Sequence, residues 1–326
     1  MTAQTPTPCP LIEIWRGDRL ESWHTGHAVV VDAKGAILDS WGDPNALIYP
    51  RSSCKMLQAL PLLRSGAGDT LTPAHLALAC ASHQGAAIHR ERVSAWLSDL
   101  GLSETDLRCG PQWPNDIPER DHLIKTDQSP CQIHNNCSGK HAGFLMMTQH
   151  LKAGPDYHLP DHPLQIAIRT AFEDITEETS PGFGIDGCSA PNYATTVHGL
   201  ARAMGRFAAA AEGTAEHRLH TAMRTHPELV AGETRACTEL MRACPDAALK
   251  TGAEAVFIAI LPTRNIGIAL KITDGSTRAS EAAITHLLTK YAGLDPAHPA
   301  AQKRLGPITN WNGLRTGEFR IAPAFA

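Results

Sequence analysis

Arg51-Ser52-Ser53-Cys54-Lys55 stands where a strand-rich opening gives way to an apolar, helix-like run over 54–63. On the first turn of a helix, residues three apart share one face, so the Lys55 amine can reach the Ser52 hydroxyl. A serine is a poor nucleophile until a neighbour removes its proton, and an amine one turn away can do so. The same residues also read as a helix cap followed by a surface lysine. Which reading holds depends on the rest of the chain.

On the N-terminal side, 11–15, 27–32 and 36–40 are short, partly β-branched runs, with Ala33-Lys34-Gly35 as a hairpin turn. Pro61 should kink or shorten the helix over 54–63. The stretch 72–248 is mostly helical in pattern. Thr72-Pro73 opens a helix, and 164–173, 197–212, 216–225 and 232–243 carry helical apolar spacing. Strands return at 253–261 and 266–272 around a turn at 262–265, followed by a helix over 276–291 and a strand over 318–321.

This order predicts an α/β (α+β) fold in which the N- and C-terminal segments build one antiparallel sheet and the middle forms a helical lobe. The expected organisation is a single catalytic domain, 1–326. Its sheet lobe is 1–53 plus 249–326, its helical lobe is 54–248, and a cleft lies where they meet.

Composition narrows the function classes. The net charge of −4 and 5% aromatic content come without clustered Lys/Arg, which argues against a nucleic-acid surface. The longest apolar run, 255–262, is too short to span a bilayer. The N-terminus lacks a basic start followed by an apolar stretch, so no export signal is read there. The nine cysteines form an odd set without disulfide-scaffold spacing. The expectation is a cytoplasmic protein with reduced thiols.

Three further blocks carry chemistry. Lys250-Thr251-Gly252 precedes the late strand, where Ser-x-x-Lys hydrolases place a second cation beside the nucleophile; it also reads as a helix-to-strand turn. Cys80-Ala81-Ser82-His83-Gln84-Gly85 ends an apolar run. It is either a cap and turn or the source of a second hydroxyl, Ser82, that relays protons. Asn135-Asn136-Cys137-Ser138-Gly139-Lys140-His141 is matched later by Gly184-Ile185-Asp186-Gly187-Cys188. Two cysteines on Gly-bearing turns can share one soft divalent ion, or can be ordinary buried thiols. A third ligand would come from His141, Lys140 or Asp186, with histidine the default choice.

Taken together these blocks resemble the Rhizobium-type L-asparaginases, the asparaginase II sequence family. The likeness rests on 51–55, 80–83, Asn136-Cys137-Ser138-Gly139-Lys140-His141, His158-Leu159-Pro160-Asp161-His162-Pro163, Asp186-Gly187-Cys188, His226-Pro227-Glu228-Leu229-Val230-Ala231-Gly232 and Lys250-Thr251-Gly252-Ala253. The resemblance implies a serine β-lactamase/glutaminase-like fold, a homodimer, and hydrolysis of L-asparagine to L-aspartate and ammonia. It implies two Ser-Lys pairs, Ser52/Lys55 and Ser82/Lys250, with Arg51 and Asp186 helping to seat substrate. It also implies zinc (Zn2+) on Cys137, Lys140 and Cys188, which replaces histidine by lysine in the ligand set. Two features depart from the family pattern: Ser53-Cys54 inside Ser-x-x-Lys, and Gln84-Gly85 after Ser82-His83. The Ser-Asp-Asn motif of penicillin-recognising enzymes is absent. The competing readings are a zinc-hydroxide amidohydrolase, a glutaminase, and a non-catalytic amino-acid or zinc-binding protein.

Overall fold

The computed structural model describes residues 7–326. The first six residues, part of the stretch read as lacking an export signal, lie outside them. The chain divides into two compact units.

The first unit comprises Met1–Ser53, Thr195–Ala210 and Glu239–Ala326, of which 1–6 are not described. It holds an eight-stranded antiparallel sheet. The order is Pro307–Thr309, Arg315–Ile321, Cys9–Arg16, Arg19–Val31, Ile266–Ile272, Val256–Leu261, Ala248–Thr251, with Ile37–Trp41 added on Arg19–Val31. The expected class is what the chain adopts: N- and C-terminal segments interleave in one sheet. Ile12 pairs with Ile321 on one side of this ladder, and Val30 pairs with Ile268 on the other. Ala28, Val29, Val30 and Val31 are all fully buried, so this end of the strand is covered on both faces. The helices Val197–Ala208 and Thr277–Tyr291 both pack on the sheet.

The sequence pattern assigns 195–210 and 239–248 to the helical lobe; they cluster with the sheet instead. For the helix Val197–Ala208 the reason is a strongly one-sided apolar face, Val197, Leu200, Ala201, Met204 and Ala208, which the sheet buries. That helix also stops at Ala208, four residues short of the expected end.

The second unit comprises Cys54–Ala194 and Ala211–Thr238 and is mainly helical. The expected helix over 54–63 is two short ones, Lys55–Gln58 and Leu60–Arg64, because Pro61 cannot donate a backbone hydrogen bond. Pro73 opens Pro73–Ala79 as expected. A small hairpin, Phe183–Ile185 with Pro191–Tyr193, interrupts the stretch read as helical. No helix among the described residues is long and apolar enough to cross a membrane.

Candidate active site

In the first unit, Arg51 and Ser52 lie on a 3-10 turn, Arg51–Cys54, and both are half-buried. Arg51 has φ +52°, a left-handed conformation that costs a non-glycine residue about 1 kcal/mol. Such strain persists only where surrounding structure enforces it, and here it sits immediately before Ser52. The enforcing contact is the segment Lys250-Thr251-Gly252. A Cβ on Gly252 would lie 2.6 Å from the Pro50 carbonyl oxygen and 3.1 Å from the Ser53 nitrogen, so only glycine allows this approach. Lys250 is fully buried on its strand, and its ammonium donates to the Thr251 carbonyl at 2.8 Å.

In the second unit, Lys55 opens the helix that follows the turn and is 1% exposed. Its Nζ donates to the Ala81 carbonyl, to Ser82 Oγ at 2.9 Å, and to Cys137 Sγ at 3.1 Å. Ser82 is held by its neighbours' backbone. Ser82 N donates to the Val230 carbonyl at 2.9 Å, and His83 N donates to the Asn136 carbonyl at 3.1 Å. Three of the blocks picked out by sequence, around Ser82, Cys137 and Val230, therefore meet at one point.

Cys137 caps the helix Ser138–His150, which places Cys137, Lys140 and His141 on one face of its first turn. The helix lies close on Pro73–Ala79. A Cβ on Gly139 would fall 2.6 Å from the Leu78 carbonyl oxygen, which explains the glycine between Cys137 and Lys140. Cys188 comes from the turn of the small hairpin, fixed by Ser189 in the left-handed region at φ +70°. Lys140 Nζ reaches Cys188 Sγ at 3.1 Å, and Cys137 Sγ donates to Asn136 Oδ1 at 2.8 Å. Asp186 is half-buried on the same turn, where its Oδ1 accepts from Gly187 N.

The electrostatics of this cluster favour one thiolate. The neighbouring Cys137 thiol holds the Cys188 thiol well below the ordinary range, helped against burial by Lys140 and His141. Cys137 moves the opposite way, raised by the Cys188 sulfur beside it and by burial. Burial opposes the Lys140 charge, but Cys188, Cys137 and Asp186 outweigh it and push its pKa up. The donor set is two sulfurs and one amine, all buried and convergent, which is chemistry suited to a soft divalent ion. Among the described residues no three His, Cys, Asp or Glu side chains are placed to hold a metal, so an ion here would need the lysine nitrogen.

His141, the default third ligand, is committed elsewhere. The Arg108 backbone N–H donates to Tyr157 Oη at 2.8 Å, so the tyrosine hydroxyl donates to His141 Nδ1, also at 2.8 Å. That places the imidazole hydrogen on Nε2, a buried nitrogen with no hydrogen-bond partner among the described residues. Burial pushes His141 down to about 4, against the opposing pull of Cys188. Sequence reasoning did not single out Tyr157, which has no motif around it. The block His158–Pro163 that follows is structural: His162 caps the helix Pro163–Thr176 and donates to the Gly154 carbonyl.

The chain belongs to the L-asparaginase II family, whose model matches residues 12–321. Among solved structures it is similar to Mglu in its native form, at 11% identity and a TM-score of 0.47, over 82% of this chain and 64% of that one. The chain thus spans less than two thirds of Mglu's length. It is similar also to a putative β-lactamase from Bacteroides dorei DSM 17855, at 11% identity and a TM-score of 0.45, over 82% of this chain and 93% of that one. A Bacillus glutaminase is similar at 12% identity and a TM-score of 0.37, over 82% and 91%. These are distant likenesses. No curated protein sequence matches the chain significantly.

Proposed function

We propose that the protein is a Ser-Lys amidohydrolase that converts L-asparagine to L-aspartate and ammonia. The family supports an amide substrate, and one observation carries the mechanism: a buried lysine amine, Lys55, hydrogen-bonded to a buried serine hydroxyl, Ser82, at 2.9 Å. In this reading Ser52 attacks the side-chain amide carbon. Its proton passes through Lys55 and Ser82 to the departing ammonia, and water then cleaves the aspartyl ester. Lys250 adds a second buried cation on the strand beside the Ser52 turn, and Arg51 and Asp186 seat the substrate's charged ends.

Cys137, Lys140 and Cys188 would hold a zinc ion, which supplies a fixed positive charge for binding. The thiolate character of Cys188 supports this, and the tautomer of His141 explains why lysine completes the set.

Ammonia release from L-asparagine and L-glutamine, by wild type and Ser52→Ala, tests the reading. The expected result is release from asparagine that falls by several orders of magnitude in the variant. Unchanged release in Ser52→Ala, or loss of all turnover on chelation with the serine dispensable, would shift the chemistry to a metal-bound nucleophile. Release from glutamine alone would change the substrate.

A further inference from the structure

A second nucleophilic cluster lies outside the site above. Cys131 Sγ is 3.3 Å from His134 Nδ1 on the short turn Gln132–His134. His134 Nε2 faces Glu119 Oε1 at 3.5 Å, and Glu119 is gripped by Arg90 at 2.8 Å. His134 and Glu119 are both buried, whereas Cys131 is half-exposed. The tautomer follows from the backbone. Cys131 N donates to His134 Nδ1 at 3.0 Å, so Nδ1 carries the lone pair and the ring hydrogen sits on Nε2, toward the carboxylate. This is a thiol, a base with its lone pair beside the sulfur, and a carboxylate behind the base.

We propose that Cys131 is a thiol-modification site that forms mixed disulfides with low-molecular-weight disulfides, with His134 as base and Glu119 holding that base. The inference does not depend on the amidohydrolase reading. In the step, the Cys131 N–H releases His134 Nδ1, and the S–H proton moves to that nitrogen while Cys131 Sγ bonds to one sulfur of the reagent. The reagent's S–S bond breaks, its other sulfur leaves with the bonding electron pair, and that thiolate takes the proton from His134. One protein thiol is oxidised and one small disulfide is reduced to a mixed disulfide and a free thiol.

The other cysteines do not compete. Seven are buried, and Cys9, half-exposed like Cys131, is pushed up by burial. The Cys131 thiol is pushed down, chiefly by its bond to His134. The charged groups facing the pair are His134 on its own turn, Glu119 and Arg90 from the helices Ile117–Lys125 and Ala87–Asp99, and Glu104 from the turn Glu104–Asp106. Glu104 opposes ionisation of the sulfur, and His134 outweighs it.

An ordinary thiol is about 3% ionised at pH 7, and lowering its pKa gains more in thiolate than it loses in nucleophilicity by about threefold at best. The test treats native protein with oxidised glutathione, and in parallel with 5,5′-dithiobis(2-nitrobenzoate), and maps the first modified cysteine by mass spectrometry. Cys131 should react first, about threefold faster at pH 7 than glutathione's own thiol does with the same nitrobenzoate reagent. Cys131→Ser should abolish the fast phase. His134→Gln should slow it to the ordinary rate and move its pH profile upward. First modification at Cys9 or any other cysteine, or an unchanged rate in His134→Gln, overturns the proposal. Should His134→Gln lose its native circular dichroism, Glu119→Gln decides: a slower Cys131 supports the relay, and an equal rate refutes it.

Discussion

Lys55 Nζ donates to Ser82 Oγ at 2.9 Å, joining a residue at the start of one helix to a loop held by two other backbone segments. If the two act as one proton-transfer unit, Lys55→Met and Ser82→Ala should each lower asparagine turnover by two or more orders of magnitude. The double variant should fall little further, because groups that act together are not additive. Steady-state ammonia release from the three variants checks this, and losses that multiply would separate the two residues.

The Gly252 approach gives a second expectation. Gly252→Ala must push back the Pro50 carbonyl or the Ser53 nitrogen, so the turn carrying Ser52 shifts. Turnover should drop at least tenfold with a stability loss of about 1–3 kcal/mol. Activity at wild-type level in a folded Gly252→Ala protein would show that the contact does not position Ser52.

Removing the Tyr157 hydroxyl tests the relay into the cysteine cluster. Tyr157→Phe leaves the Arg108 N–H without its partner, at a cost of about 1–3 kcal/mol. It also frees His141 to change tautomer, and zinc affinity should weaken by about tenfold or more. Competition with a colorimetric chelator measures the affinity, and imidazole ¹⁵N shifts read the tautomer directly in metal-free protein. A wild-type tautomer in Tyr157→Phe would sink this account.

Stability should also fall in mild acid. His83 and His89 stack with centroids 4.6 Å apart, and burial holds the pKa of both down, well below the ordinary value for His83. In the unfolded chain they take up protons near pH 6.5, while in the folded chain they stay neutral. Their contribution is therefore fully present above about pH 6.5. It is lost as pH falls below that, at up to about 1.4 kcal/mol per unit for each ring. Urea midpoints at pH 7.5 and 5.5 should differ accordingly, and His89→Phe should show the shallower loss. Equal midpoints at the two pH values in wild type would contradict it.

Ser189→Gly should stabilise the protein by up to about 1 kcal/mol, since φ +70° strains serine and not glycine. Thermal melting checks the sign, and a lower melting temperature would mean that the serine side chain is needed for the turn.

Local pattern made the sheet-building ends readable from sequence, because the buried residues of Cys9–Arg16 and Ile266–Ile272 are apolar and bounded by turns. The outer half of Arg19–Val31 was not readable. Arg19, Leu20, Glu21 and Trp23 are exposed there, so no buried alternation marks the strand. In the site, spacing placed Cys137 and Lys140 on one helix face, three residues apart. It could not reveal that Lys55 bonds Ser82, since that contact is made by a separate segment whose position depends on Val230 and Asn136. Nor could it choose between His141 and Lys140 as partners of Cys188. That choice depends on a hydrogen-bond direction set by Arg108 and Tyr157, which no one-dimensional pattern encodes.

The interleaved sheet has a consequence for biosynthesis. Strand Cys9–Arg16 leaves the ribosome long before one of its two neighbours, Arg315–Ile321. Strand Arg19–Val31 likewise waits for Ile266–Ile272. All of the second unit, ending at Thr238, is translated in the interval, so it can begin to fold while the first hairpin still presents open edges. Those edges leave the nascent chain exposed to aggregation until their partner strands arrive, and chaperone demand should be greatest in that interval.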